Sequence, residues 1–381
     1  MRREIGKIFR IALVLVTLII PSTTAFADAN ETSWTILASM SKCGCGLQTE
    51  VIDGKIYALG GSDSSLEVYD PSTDVWTTLA PMPIEQESGQ TEVIDGKIYS
   101  IGNVDSDADS LSSTEVYDVS TDTWTILASM STPRYKFQTE VLDGKIYAIG
   151  GLEKQISDGF PPKLSSVEVY DPSTDTWTTE SSMSTSRYIF QTEVINGKIY
   201  AIGGLGPIDS YPLSSVEVYD PSIDTWTTLS SMSVARYDFQ TEVINGRIYA
   251  IGGQISDETM LSSIEVYYPS IDMWVTLPSM DAVRAGLQTE VIDDKIYAIG
   301  GEAFVDGYEH GYNRDYLSSV EVYDSSTHTW STITSMSDAR SGFQTEIIDG
   351  TIYAFGGIGM NRYGGRLYSV EACIITSSTT P

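Results

Sequence analysis

Seven tryptophans, Trp34, Trp76, Trp124, Trp177, Trp226, Trp274 and Trp330, follow one another at separations of 42, 48, 53, 49, 48 and 56 residues. A Gln-Thr-Glu triplet keeps step with them, starting at Gln48, Gln90, Gln138, Gln191, Gln240, Gln288 and Gln344. Self-similarity at one period constrains a fold more than length does, because each copy must be one supersecondary unit that buries its apolar faces against its neighbours. The 381 residues are therefore read as one repeating body and not as a string of unrelated domains.

The copy around Trp226 shows the unit. Gln191-Thr192-Glu193-Val194-Ile195, Lys198-Ile199-Tyr200-Ala201-Ile202, Val216-Glu217-Val218-Tyr219 and Thr225-Trp226-Thr227 are short runs rich in Val, Ile, Tyr and Thr, the composition of strands. Asp53, Asp95, Asp143, Asn196, Asn245 and Asp349, each followed by Gly, predict two-residue type I′ hairpins between the first two strands. Asp293-Asp294 is the exception, and a costlier turn is expected there. A Gly-Gly pair, broken by Asn103 alone, ends the second strand, and segments such as Asp171 to Asp175 turn the third strand into the fourth. The unit is an antiparallel meander of four strands, and the fold class is all-β.

The Gly-Gly pair, the Tyr of the third strand, the Trp spaced after it and a following Met-x-x-x-Arg resemble the kelch repeat, and the resemblance covers residues 31 to 376. It implies a seven-bladed β-propeller, an architecture that covers the faces of every sheet by radial packing. Trp34 has no strands before it and the last copy has no Trp, so Glu31 to Leu37 is expected to supply the outermost strand of the last blade. The propeller would then occupy residues 28–376, with a Ser/Thr/Pro tail at 377–381.

Residues 1–27 read as a secretory signal peptide: Arg2, Arg3, Lys7 and Arg10 flank an apolar run from Ile11 to Ile20, and Ala25-Phe26-Ala27 follows. The run is about ten residues against the roughly twenty of a spanning helix, so no membrane span is expected after its removal. The chain is expected to be secreted, extracellular or at the cell surface, and periplasmic in an organism with two membranes. With 22 Lys and Arg against 52 Asp and Glu, nucleic acid is excluded as a partner, because phosphate binding needs a basic footprint.

An up-and-down meander gathers the Asp-Gly hairpins and Asp-Pro turns at one end of the ring, where they read as acidic scaffold. The loops after Gly-Gly and the Met-x-x-x-Arg connections share the other end, which holds the variation. The longest loop runs from Glu302 to Leu317 and carries Tyr308, Tyr312, Tyr316, Glu309 and Arg314, with Phe160, Tyr211 and Tyr363 in neighbouring loops. Tyrosine faces with charged groups suit carbohydrate or peptide recognition, and the competing reading is a small satellite core inside the loops. Arg134, Arg187, Arg236, Arg284 and Arg340 occupy one place in five copies, with Gly44 and Gln86 in the first two. They read either as a cationic rim for an acidic ligand or as structural ties between blades. Glu50, Glu92, Glu140, Glu193, Glu242, Glu290 and Glu346 of the triplets read as charges paired by those arginines or by backbone donors, against the alternative of an acidic, cation-collecting channel.

His310 and His328 fall at opposite ends of the unit, which removes a His-rich metal site, a copper centre of the galactose-oxidase kind and a Ser-His-Asp triad. Asp105, Asp107 and Asp109 alternate as calcium ligands do, but Ser110 and Val116 stand where an EF-hand needs Gly and Glu. Cys43 and Cys45 read as a strained pair or as free thiols, and Cys373 as too distant for either. No catalytic residue, cofactor or metal is assigned. The expectation is a monomeric binding module for an extracellular protein or carbohydrate, working through its variable loops. The alternative is a sugar-converting enzyme, for which the resemblance offers sialic-acid mutarotases as precedent, with Glu309, Arg314 and Arg340 as the groups to recruit.

Overall fold

The computed structural model describes residues 32–41, 46–61, 64–84, 89–104, 110–153, 161–208, 210–305, 313–359 and 365–375. Residues 1–31, expected to hold the signal peptide, Cys43, Cys45, the Asp105 to Asp109 stretch and residues 376–381 lie outside them. Seven four-stranded antiparallel sheets form the blades of a propeller: 47–78, 90–126, 138–180, 191–229, 240–277, 288–333, and a seventh made from 344–374 and Trp34–Leu37. In that last blade Trp34 stands opposite Cys373 and Leu37 opposite Val370, so the two chain ends close the ring.

Local chemistry places the turns. The six Asp or Asn residues of the hairpins have φ between 48° and 52°, as type I′ requires. Asp294 takes φ 58° where the other hairpins have Gly, and a Cβ at Gly197 would meet nothing within 4 Å, so the cost of Asp294 is backbone strain without a clash. The Gly-Gly pair answers a different demand, since a Cβ on Gly204 would lie 2.5 Å from Phe190 Cβ. Second strands such as Lys198–Ile202 are buried on both faces, and the outermost strands are the wet ones.

Three sets of bonds tie blade to blade. At the rim, all seven Trp Nε1 groups donate to a carbonyl just past the preceding outer strand, at 2.7 to 3.0 Å. Asp74, Asp122, Asp175, Asp224 and Asp272 add a second tie, each accepting a neighbouring backbone N–H and its own blade's Tyr hydroxyl. His328 replaces that Asp in blade six and accepts or donates at Tyr323, 2.8 Å away. Pro278 stands where its N–H partner would be, so acceptor and donor are lost together. At the join of blades six and seven, Thr334 and Thr32 meet instead.

Within the wall of the ring, each of the five repeat arginines enters from the connection to one blade and plugs into that blade. Arg187 donates to Gly203 O at 2.9 Å and to Glu217 at 2.8 Å, while its main chain is held by Leu164 O and Gly151 N of the blade before. The other four repeat the 2.8 Å ion pair with Glu168, Glu265, Glu321 and Glu371 of the third strands. Burial alone would push the Glu168 carboxyl up, but hydrogen bonds from Ser131 and the Arg134 guanidinium outweigh it and hold it low. The expected pairing of these arginines with the triplet glutamates is thus corrected: the third-strand glutamates take them.

The triplet glutamates line the central channel, and six of the seven accept from the Thr of the next blade's triplet: Glu50 from Thr91, Glu92 from Thr139, Glu140 from Thr192, Glu193 from Thr241, Glu242 from Thr289 and Glu290 from Thr345, while Thr49 acts to lower the seventh, Glu346, across the closing join. Glutamines add a parallel set, Gln138 and Gln191 each donating to a Phe carbonyl of the next blade at 2.6 Å. Burial, with repulsion from adjacent members, raises Glu92, Glu193 and Glu290 to about 8, and burial raises Glu140 and Glu242 to about 7.

Two outcomes follow from these ties. Arg236→Met leaves Glu265 charged and buried, and should cost about 3–5 kcal/mol in urea denaturation. Adding Glu265→Gln should return part of that loss; an equally unstable double variant would mean that the carbonyl bonds, and not the charge, carry the effect. For the channel, the folded ring retains protons that unfolded carboxyls release above their ordinary value of 4.5. Its contribution is complete below that pH and is lost as pH rises through 7 to 8. Thermal unfolding midpoints should fall from about pH 5.5 to about pH 8.5, and fall less in the isosteric Glu193→Gln/Glu290→Gln variant. An identical pH slope in both proteins would exclude the ring as its source.

Candidate functional site at the channel mouth

The first hairpin of several blades continues past a break into the variable end. Tyr188 bridges to Leu205, Tyr237 to Gln254, Ala285 to Glu302 and Ser341 to Ile358. Tyr135, Tyr188 and Tyr237, which follow three of the arginines, pack with Leu152 and Leu205 as an apolar cluster beneath the loops. Tyr237 also donates to Asp257 at 3.0 Å. For these three tyrosines the structure gives self-packing.

The long loop of blade six is itself a small hairpin, Glu302–Val305 against Asn313–Tyr316. Its register puts Phe304 opposite Arg314 and Glu302 opposite Tyr316. Arg314 lies 5.8 Å over the Phe304 ring, donates to Glu302, and keeps 43% of its side chain exposed. Tyr316 is half-buried at the base, and Tyr211 stands 66% exposed on the loop of blade four beside Ile208, which is also exposed.

A second ring of positions surrounds the mouth, two residues before each triplet. Lys136, Ile189, Asp238, Gly286 and Gly342 all have positive φ, and Ile189 N donates to Lys136 O, Gly286 N to Asp238 O, and Gly342 N to Gly286 O. Ile189 at φ 49° is a costly choice for a β-branched residue. Asp238 completes a charged group with the blade-six hairpin. Burial raises its carboxyl while Arg314 and Lys136 pull it down, and burial raises Glu302, with Arg314 opposing and Asp238 adding. Two carboxyls of raised affinity for protons thus flank one guanidinium, which donates to Glu302 and acts on Asp238 through its charge.

Of the residues singled out from sequence, Arg314, Tyr316 and Tyr211 lie on this end. Tyr308, Tyr312, Glu309, Phe160 and Tyr363 lie outside the described residues. Arg134, Arg187, Arg236, Arg284 and Arg340 are 0% exposed and committed to the blades, so their place among ligand contacts is corrected to scaffold. Asp238, Glu302 and Lys136 were missed. Their signal was available in Asp238 and Lys136: the residue two before the triplet is Lys136, Ile189, Asp238, Gly286 or Gly342 in the last five copies, while the Arg two positions before it and the triplet after it repeat.

The family model described as Kelch motif matches residues 43–83, 90–131, 133–184, 188–233, 235–281 and 284–337. A human protein, kelch repeat and BTB domain-containing protein 12, is 40% identical over 55 residues, which span 14% of this chain and 9% of that relative. The solved structure of YjhT shares the fold, with a TM-score of 0.62 at 17% identity over 79% of this chain and 98% of its own. With six matched motifs and seven blades on one plan, the chain belongs to the kelch-repeat family.

Proposed function

We propose that this propeller is an exported binding module that recognises an extracellular protein or glycan at the mouth of its channel, on the variable-loop end. The observation that carries the reading is the confinement of variation: the blades repeat their turns, ties and core, while Lys136, Ile189 and Asp238 and the loops above them differ from blade to blade. Exposed Tyr211 and Ile208 supply apolar contact, and Arg314 on Phe304 supplies a preorganised fork for a carboxylate or a sugar hydroxyl pair.

A second reading, a sugar-converting enzyme, is favoured by the Asp238, Glu302 and Arg314 group. Opening and reclosing a cyclic sugar needs one proton delivered to the ring oxygen and one removed from the anomeric hydroxyl. Two carboxyls of raised proton affinity beside one guanidinium are the groups that would share those two roles.

Residues 28–381 applied to a glycan array and to immobilised extracellular proteins test the first reading. Tyr211→Ala should leave the unfolding midpoint in place, as an exposed side chain does, and weaken the interaction about 10-fold. Binding unaffected by both Tyr211→Ala and Arg314→Ala would remove this end as the recognition surface. Polarimetry of freshly dissolved sugars decides the second reading: acceleration that disappears in Asp238→Asn supports it, and rates equal to buffer with every sugar exclude it.

A further inference from the structure

At the opposite end of the ring, where hairpins and turns repeat almost unchanged, one cleft departs from the pattern. It lies between blades four and five, has a volume of about 590 Å³, and is lined by Asn196, Lys198, Tyr200, Asn245, Arg247 and Tyr268 among others. That volume is in the range of small-molecule sites.

The repeat shows what is unusual about it. Elsewhere the hairpin residue is Asp, at positions 53, 95, 143, 293 and 349, whereas both hairpins at this cleft carry Asn. In five of the other six blades the second strand opens with a Lys paired to an Asp at the end of the third: Lys55 with Asp70, Lys97 with Asp118, Lys145 with Asp171, Lys198 with Asp220, and Lys295 with Asp324, while blade seven has Thr351 opposite Ile374. In blade five Arg247 replaces the Lys and Tyr268 the Asp, and the guanidinium lies 4.7 Å over the tyrosine ring. Three carboxylates that the repeat would place here are therefore absent, in a chain with 52 acidic residues. Lys198 remains paired with Asp220 at 2.8 Å, and Arg247 reaches the Tyr249 hydroxyl but has no ion pair among the described residues. Asp294, in the hairpin of blade six, acts on Tyr249 and forms no ion pair with Arg247 among the described residues.

We propose that this cleft binds a small hydroxylated carboxylate. A guanidinium stacked on a ring has its N–H groups held in one plane, and with one of them turned to Tyr249 the others remain to meet a planar two-oxygen acceptor. The two exposed Asn side chains offer both donors and acceptors to hydroxyls, and the tyrosine rings offer apolar faces. Removing the acids lets an anion approach a surface that repels anions elsewhere. The site is independent of the loop end, and its failure leaves the reading of that end untouched.

Calorimetric titration of the full chain with gluconate is the test, with sorbitol as the neutral counterpart and sulfate as charge without a planar carboxylate. Gluconate should saturate one site and bind at least about 10-fold more tightly than sorbitol or sulfate. Arg247→Lys/Tyr268→Asp rebuilds the pair of the other blades, so it should fold normally and lose about 10-fold or more in gluconate affinity. Asn196→Asp/Asn245→Asp keeps the arginine and should also weaken binding, by restoring repulsion. No gluconate binding, equal binding of sulfate, or undiminished affinity in Arg247→Lys/Tyr268→Asp would each overturn the proposal.

Discussion

No blade of this molecule can stand alone, because the middle strands of each are apolar on both faces and need a neighbour on either side. Closure is therefore a condition of folding and not an embellishment of it. Trp34–Leu37 laid against Val370–Ile374 satisfies that condition by joining the two ends of the array in one sheet. The channel ring meets itself only when Glu346 comes beside Thr49 and Glu50, and the rim circuit only when Trp34 donates to Thr334.

The polar groups inside the wall follow from the same condition. Packing sheets face to face strands backbone carbonyls at the Gly-Gly bends, and a long, forked cation satisfies several of them at once while its charge is met by a third-strand glutamate. Blades one and two lack the arginine and show the alternatives. Glu67 is met by the Ser41 backbone and hydroxyl, and Glu115 is raised to about 7 by burial, with the Ile84 backbone opposing. The wall is thus ionic for most of its circumference and differently balanced where the array begins.

Much of this was legible in the letters. Short runs rich in Val, Ile, Tyr and Thr, Asp-Gly and Asn-Gly pairs, and a Trp left over at one end against a Trp missing at the other pointed to strands, hairpins and closure. The partners of the charges were less legible. Alternation along a strand says that Glu193 and Gln191 share a face, but not which neighbour that face meets, so the arginines were assigned to the wrong glutamates. The mouth was legible only in part for a related reason: variation before the triplets marks Asp238 and Lys136, but Glu302 belongs to another blade and acts with Asp238 only because a loop folds back. At the turn end the repetition draws attention away from the cleft where four substitutions coincide, Asn196, Asn245, Arg247 and Tyr268.

The paired replacement of an aspartate by His328 and of its N–H partner by Pro278 has a mechanical meaning. Five of the joins carry both a Trp and an Asp tie at the rim, and the join of blades six and seven has its threonine contact. Between blades five and six, of these rim ties, Trp330 alone holds. The same join carries the cluster of Asp238 with Glu302 and Arg314 at its other end. A circle without free ends comes closest to having a hinge there, and whatever clasps both sides of that cluster also bolts the hinge shut.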